Sequence, residues 1–210
     1  MEIVKGTAEL AKKHRNEILD LLYSTGPAYF EYMFDGDRDF FNLYFGISVE
    51  NAGTPYGYDT MSLIMDGDQM IGCLCSMKAT EYVDRRTELR AVGYDIVENS
   101  NVNPEGLAKL RKRGAELVWL NVAMNEGVYY VIAVTVKPEH RGKGLGVKLV
   151  EHAKSIAKSG GFDRLELDVI ADNPAVDLYK SVGMQVMVET KAPIPSAHGV
   201  PAELRMGMEL

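Results

Sequence analysis

The chain has 210 residues and a mass of 23.3 kDa, with 46% hydrophobic and 25% charged residues, the make-up of a globular domain with a sizeable core. No apolar run approaches the ~18 residues of a membrane span, and the opening Met1–Lys5 has no signal-peptide pattern, so the sequence predicts one cytoplasmic domain over residues 1–210 with no membrane partner. Thirty acidic against 23 basic residues give a net charge of −7, which excludes the basic footprint of a nucleic-acid binder.

Taken in chain order, Glu2–Lys5 reads as a short strand and Thr7 as the cap of a following helix. In that helix Ala11, His14, Ile18, Leu21 and Leu22 share one face. An aromatic block follows: Tyr29, Phe30, Tyr32, Phe34, Phe40, Phe41, Tyr44 and Phe45. It reads as a pair of short helices roofing the core, or as the wall of a substrate pocket, which such residues favour. Met61–Met65 and Met70–Met77 read as strands around the turn Asp66-Gly67-Asp68, the second running on toward Val83. Cys73 and Cys75 fall at i,i+2 on that strand and face the same way. Two sulfurs do not make a zinc site, so buried thiols and no metal are expected. Residues 84–103 give no clear pattern. Asn103-Pro104 opens a helix, cap then proline, that ends near Gly114.

The second half is more regular. Val128–Val136 is β-branched and aromatic, a buried central strand. A loop over 137–144 leads to a helix with Leu145, Leu149, His152 and Ile156 on one face, stopped by Gly160-Gly161. Arg164–Ile170 alternates, with Leu165, Leu167 and Val169 on one face and Glu166 and Asp168 on the other. Asp172-Asn173-Pro174 opens a short helix to Ser181. Gln185–Thr190 and Ala202–Leu210 are closing strands with a loop over 193–201 between them. Helices alternating with strands indicate a mixed α/β sheet.

The stretch Lys137-Pro-Glu-His-Arg141-Gly142-Lys143-Gly144-Leu145-Gly146 joins a buried strand to a helix N-terminus. Glycines permit positive φ and close backbone approach, and free N–H groups at a helix start bind phosphate. Lys137, Arg141, Lys143 and Lys148 face a single acid, Glu139, a local positive balance in an acidic chain. The nucleotide-binding P-loop pattern is absent. Gly142 and Gly144 fit the start of a dinucleotide fingerprint, with Glu166 or Asp168 about twenty residues on, but Val147 stands where its third glycine belongs.

Arg141-x-x-Gly144-x-Gly146 after Val136-x-Pro138 resembles the acetyl-CoA pyrophosphate loop of the GNAT superfamily of N-acetyltransferases. Leu165 to Met184, with Asn173-Pro-Ala175, Leu178-Tyr179 and Gly183, resembles the second signature of that superfamily, with Met184 in place of its usual Phe. The resemblance covers residues ~128–190. It implies an α+β fold: a mixed, mostly antiparallel sheet of about six to seven strands flanked by helices. It implies that the strand before the loop splays from its neighbour, that Val134 and Val136 meet the pantetheine arm, and that the Val134 N–H polarises the thioester carbonyl. Arg141, Gly142, Lys143, Gly144, Leu145 and Gly146 would hold the pyrophosphate, Asn173 would touch the pantetheine as well as cap a helix, and Tyr179 would be the general acid for the leaving thiolate. The implied reaction is direct transfer of acetyl from acetyl-CoA to a small-molecule or peptide amine. Glu166 and Asp168 are candidate bases, and acceptor contacts are expected in the aromatic block and in 193–201. A homodimer is one assembly of the superfamily. A CoA-binding module without transfer, and a dinucleotide oxidoreductase, are the competing readings.

Overall fold

The computed structural model describes residues 1–99, 104–120 and 122–210. The elements run β1 (Glu2–Lys5), α1 (Ala8–Lys13), α2 (Arg15–Tyr23), α3 (Pro27–Phe34), α4 (Arg38–Glu50), β2 (Met61–Asp66), β3 (Gln69–Lys78), α5 (Tyr82–Asn99) and α6 (Pro104–Glu116). They continue with β4 (Val128–Val136), α7 (Leu145–Ser159), β5 (Arg164–Ile170), α8 (Ala175–Ser181), β6 (Gln185–Thr190), α9 (Pro193–Ala197) and β7 (Glu203–Glu209). The seven strands form one sheet in the order β1-β2-β3-β4-β5-β7-β6. Among the described residues β4 and β5 pair parallel, and every other neighbour pair is antiparallel. This is the mixed, mostly antiparallel sheet that the resemblance implies.

The period of each strand decides what its two faces bury. Leu165, Leu167 and Val169 of β5 turn toward α7 and α8, where Leu149, Ala153 and Tyr179 complete one core. On the other side α1 to α4 pack Ile18, Leu22, Phe30, Phe41 and Phe45 against Leu63 and Cys73. The aromatic block is mostly this roof. Phe41 stacks on Phe45 at 4.7 Å between centroids and meets Phe30 edge-on at 5.1 Å, pairings worth about 0.5–1.5 kcal/mol each beyond their area.

Four local expectations change. The first helix breaks at His14 (φ −106°, ψ 17°), whose buried ring bonds Glu17 at 2.6 Å. The strand of Cys73 and Cys75 stops at Lys78, because Ala79–Glu81 turns and α5 begins at Tyr82. The α5 sequence gives no clear apolar period; Leu89 packs into the core, and Arg85 anchors the helix start by binding Glu81 and Asp59. α6 runs past Gly114 to Glu116, where the Glu116 carboxylate accepts the Tyr32 hydroxyl, and the expected cap Asn103 lies outside the described residues. The segment 193–201 holds α9, with Pro193 at its first position. Both cysteines are buried, as expected.

Candidate active site

The site starts with a parting of two strands. β4 and β5 pair from Val128 with Arg164 to Val131 with Leu167, and no further. On the opposite edge of β4, Cys75 faces Ala133 and Ser76 faces Val131, so Ile132 is an extra residue. Such a bulge bends its strand and increases its twist, and this one sits where β4 leaves β5. The Lys137 N–H donates to the Ile71 carbonyl across β3 at 2.9 Å. Backbone groups alternate sides along a strand, so the N–H and C=O of Val136 and Val134 face the gap. The Val136 carbonyl accepts Arg141 Nε at 3.0 Å.

At one end of the gap lies the glycine loop. Gly142 and Gly144 have φ of +74° and +75°, and a Cβ on either would meet nothing within 4 Å. They are glycines for backbone conformation and open approach, not for packing. Gly146 differs, since a Cβ there would come within 2.6 Å of Leu178 Cδ1; it lets α7 lie close on α8. No side chain caps α7, and Lys148 is the first residue to donate back, to the Gly144 carbonyl at 3.0 Å. The N–H groups of Leu145, Gly146 and Val147 are therefore left for a ligand.

The four basic residues counted in the sequence part company. Lys137 binds Glu17 at 2.6 Å, and Lys148 points at the Met1 carbonyl at 3.5 Å. Lys143 donates to the Glu139 carbonyl at 3.2 Å, off the cavity wall. Arg141 stands on that wall, as does His140, whose buried Nδ1 has no partner. Hydrogen bonds from Lys137 and His14 hold the Glu17 carboxyl below its ordinary value, against the opposing effect of partial burial.

One cavity of about 910 Å³ joins these parts and continues through the gap. Val134, Val136, Arg141, Gly142, Gly144, Leu145, Gly146, Asn173 and Tyr179, all expected from the sequence, line it together. Asn173 stands one residue before the cap position, which Pro174 holds; its Oδ1 still accepts the Ala175 N–H at 2.9 Å, while Nδ2 donates to the Thr25 carbonyl at 3.0 Å. Burial pushes the Tyr179 phenol well above its usual value, so it stays protonated.

The other end opens on the opposite sheet face. Register puts Tyr130, Glu166, Asp168, Glu203 and Arg205 on that face. Arg205 is 2% exposed and binds Asp168 at 2.5 and 2.8 Å and Glu166 at 3.0 Å. Tyr130 donates to Asp168 at 2.8 Å. The two carboxylates that the sequence offers as bases are thus bound to one arginine. Among the described residues no arginine bonds Glu203, which lines the cavity with Tyr29, Tyr56, Tyr82 and Tyr130. Burial, then the Asp168 charge, pushes its carboxyl up to about 8, against the smaller opposing pull of Arg205. In the sequence Glu203 is one polar residue of a closing strand, with no motif around it. Of the aromatic block Tyr29 and Phe30 reach the cavity, and of 193–201 Gly199 and Pro201 do.

A parted parallel pair, an uncapped helix start and a glycine loop on one cavity are matched by descent. The model of the acetyltransferase (GNAT) family matches residues 17–184. The chain belongs to the GNAT acetyltransferase family. It is similar to the thialysine N-epsilon-acetyltransferase of Bos taurus, 38% identical over 63 residues, 30% of this chain and 37% of that protein. It is also similar to a putative [ribosomal protein bS18]-alanine N-acetyltransferase of Bacillus subtilis (strain 168), 42% identical over 53 residues, 25% of this chain and 35% of that one. The match thus spans little more than a third of either relative. In fold this GNAT chain is similar to an N-acetyltransferase from Staphylococcus aureus Mu50, with a TM-score of 0.71 at 16% identity over 99% of this chain and 100% of that one. A second acetyltransferase structure gives 0.63 at 18% identity over 100% and 99%. Among the described residues no helix is long and apolar enough to cross a membrane, and no cluster of ligating side chains could hold a metal ion.

Proposed function

We propose that the protein is an acetyl-CoA-dependent N-acetyltransferase that acetylates a primary amine directly, with both substrates bound. The observation that carries this reading is the single cavity that runs from the open start of α7, through the gap beyond Val131 and Leu167, to the opposite face of the sheet. The residues present fit a phosphorylated thioester cofactor. The uncapped N–H groups of 145–147, the open space over Gly142 and Gly144, and the unpartnered His140 Nδ1 suit a pyrophosphate. When bound, acetyl-CoA supplies an acetyl group activated as a thioester.

The rest is done by the chain. The outward backbone edge of Val134–Val136 suits the amide groups of a pantetheine arm. The Val134 N–H, on a strand held by β3 behind it, would stabilise negative charge on a carbonyl oxygen without moving. Tyr179, protonated at every working pH, is the hydroxyl nearest in role to a proton donor for the departing sulfur. Arg141, tied to the Val136 carbonyl, keeps the loop against the strand end.

The test is a thermal-shift titration with acetyl-CoA, CoA and NAD, followed by release of free CoA thiol against a panel of primary amines. A ligand at 100 times its Kd stabilises by about 2.7 kcal/mol, so acetyl-CoA and CoA should each raise Tm by roughly 5–10 °C. Stabilisation by NAD alone would return the glycine loop to the oxidoreductase reading. Stabilisation by CoA with no transfer to any amine would leave a binding module. Tyr179→Phe should lower kcat by about 100-fold, the lower end for lost acid–base catalysis, with acetyl-CoA binding kept.

A further inference from the structure

We propose that Glu203 takes the proton from the acceptor, and that the tyrosine-lined chamber around it selects an alkyl ammonium, free or as a lysine side chain. This rests on the acetyltransferase reading above and assigns the acceptor end of the same cavity. The chamber lies where β7 continues beside β5 past the parting: Glu203 pairs in register with Ile170, three residues beyond the last β4 contact at Leu167. Tyr29 comes from α3, Tyr56 from the loop after α4, Tyr82 from the start of α5 and Tyr130 from β4, and all four line the cavity with Glu203. Tyr82 and Tyr130 meet edge-to-face at 5.4 Å. Phenol faces attract a cation and pack against its alkyl chain.

Two charged groups besides the phenols bear directly on the Glu203 charge. Asp168 faces it from β5 and Arg205 from its own strand, and these two bind each other. Arg86 lies over Tyr82 at 5.4 Å, and Glu166 sits behind Arg205. Among the described residues no arginine bonds the Glu203 carboxyl, which stands beside the four tyrosines and is pushed up to about 8. A base near working pH accepts a proton most usefully. An amine with a pKa near 10 arrives as R–NH3⁺. One N–H proton passes to the Glu203 carboxylate, and the freed lone pair forms the C–N bond at the acetyl carbon. The C–S bond breaks with its electrons on sulfur. A second nitrogen proton leaves as Tyr179 protonates the sulfur and is itself restored, and the third stays on the amide. The proton on Glu203 goes to solvent.

Glu203→Gln keeps size and removes the base; Glu203→Asp is the conservative partner. With n-pentylamine as acceptor, kcat/KM of the Gln variant should fall about 100-fold, and the acid limb of the wild-type pH profile, centred near pH 8, should vanish. Glu203→Asp should recover part of the rate, and acetyl-CoA should still raise Tm in both. Tyr82→Leu should raise KM for n-pentylamine roughly tenfold and leave KM for acetyl-CoA unchanged. A lysine-containing peptide tested beside n-pentylamine separates the two sources of the alkyl ammonium. Acetyl-CoA binding and transfer with an unchanged pH profile in Glu203→Gln would overturn the assignment of the base. Preference for an aryl amine or an acidic amino acid over both alkyl ammoniums would overturn the chamber. Failure to bind acetyl-CoA at all would instead count against the acetyltransferase reading.

Discussion

Arg205→Met is the sharpest test of how the acceptor end is held together. Arg205 is 2% exposed and meets two carboxylates, with side-chain exposures of 2% for Glu166 and 11% for Asp168. Methionine keeps much of the stem's packing and removes the charge, so two carboxylates stay in the protein without their cation. Breaking a buried ion pair from one side costs about 3–5 kcal/mol. Tyr130 still donates to Asp168, and Arg164 still lies 3.4 Å from Glu166, so a loss of about 3 kcal/mol is expected. In a chain of this length that lowers Tm by roughly 6–12 °C. Urea denaturation followed by circular dichroism at pH 7 measures it. A loss under about 1 kcal/mol would show that these charges are not buried as a unit.

Glu203→Gln should also alter stability against pH. The wild-type carboxyl is neutral in the fold up to about 8, against an ordinary value of 4.5, so it costs stability as pH rises through that window, by at most about 1.4 kcal/mol per unit. Urea midpoints of wild type and variant should diverge in favour of the variant from pH 5 to 8, and parallel curves would deny the burial. Gly144→Val puts a β-branched residue at φ +75°; a loss of about 1–2 kcal/mol and weaker acetyl-CoA binding are expected in melts with and without the cofactor. Cys73 and Cys75, buried with sulfurs 3.8 Å apart, should ignore a thiol reagent in the native protein. The Cys75 thiol is raised by its bond with Cys73 and by burial, so both should react only on addition of denaturant.

The periodic elements and the glycine loop were legible because their causes are local. Alternation marks Arg164–Ile170, Thr7 and Pro104 mark helix starts, and positive φ demands Gly142 and Gly144 whatever surrounds them. The helix over 82–99 was not legible because its sequence has little apolar periodicity and its anchor, Asp59, is distant in sequence. Local charge also misled: four bases near the loop look like one patch, but Glu17 takes Lys137 from across the fold. Only the tertiary structure decided the site itself. The gap opens beside Ile132, an extra residue opposite β3, a mismatch between two strands that neither strand shows alone. Among the described residues Arg205, two residues on from Glu203, gives its ion pairs to Glu166 and Asp168 of the neighbouring strand instead. A side chain's chemistry is written in its sequence, but its solvation and its partners, which set its proton affinity, come from chain segments that meet only on folding.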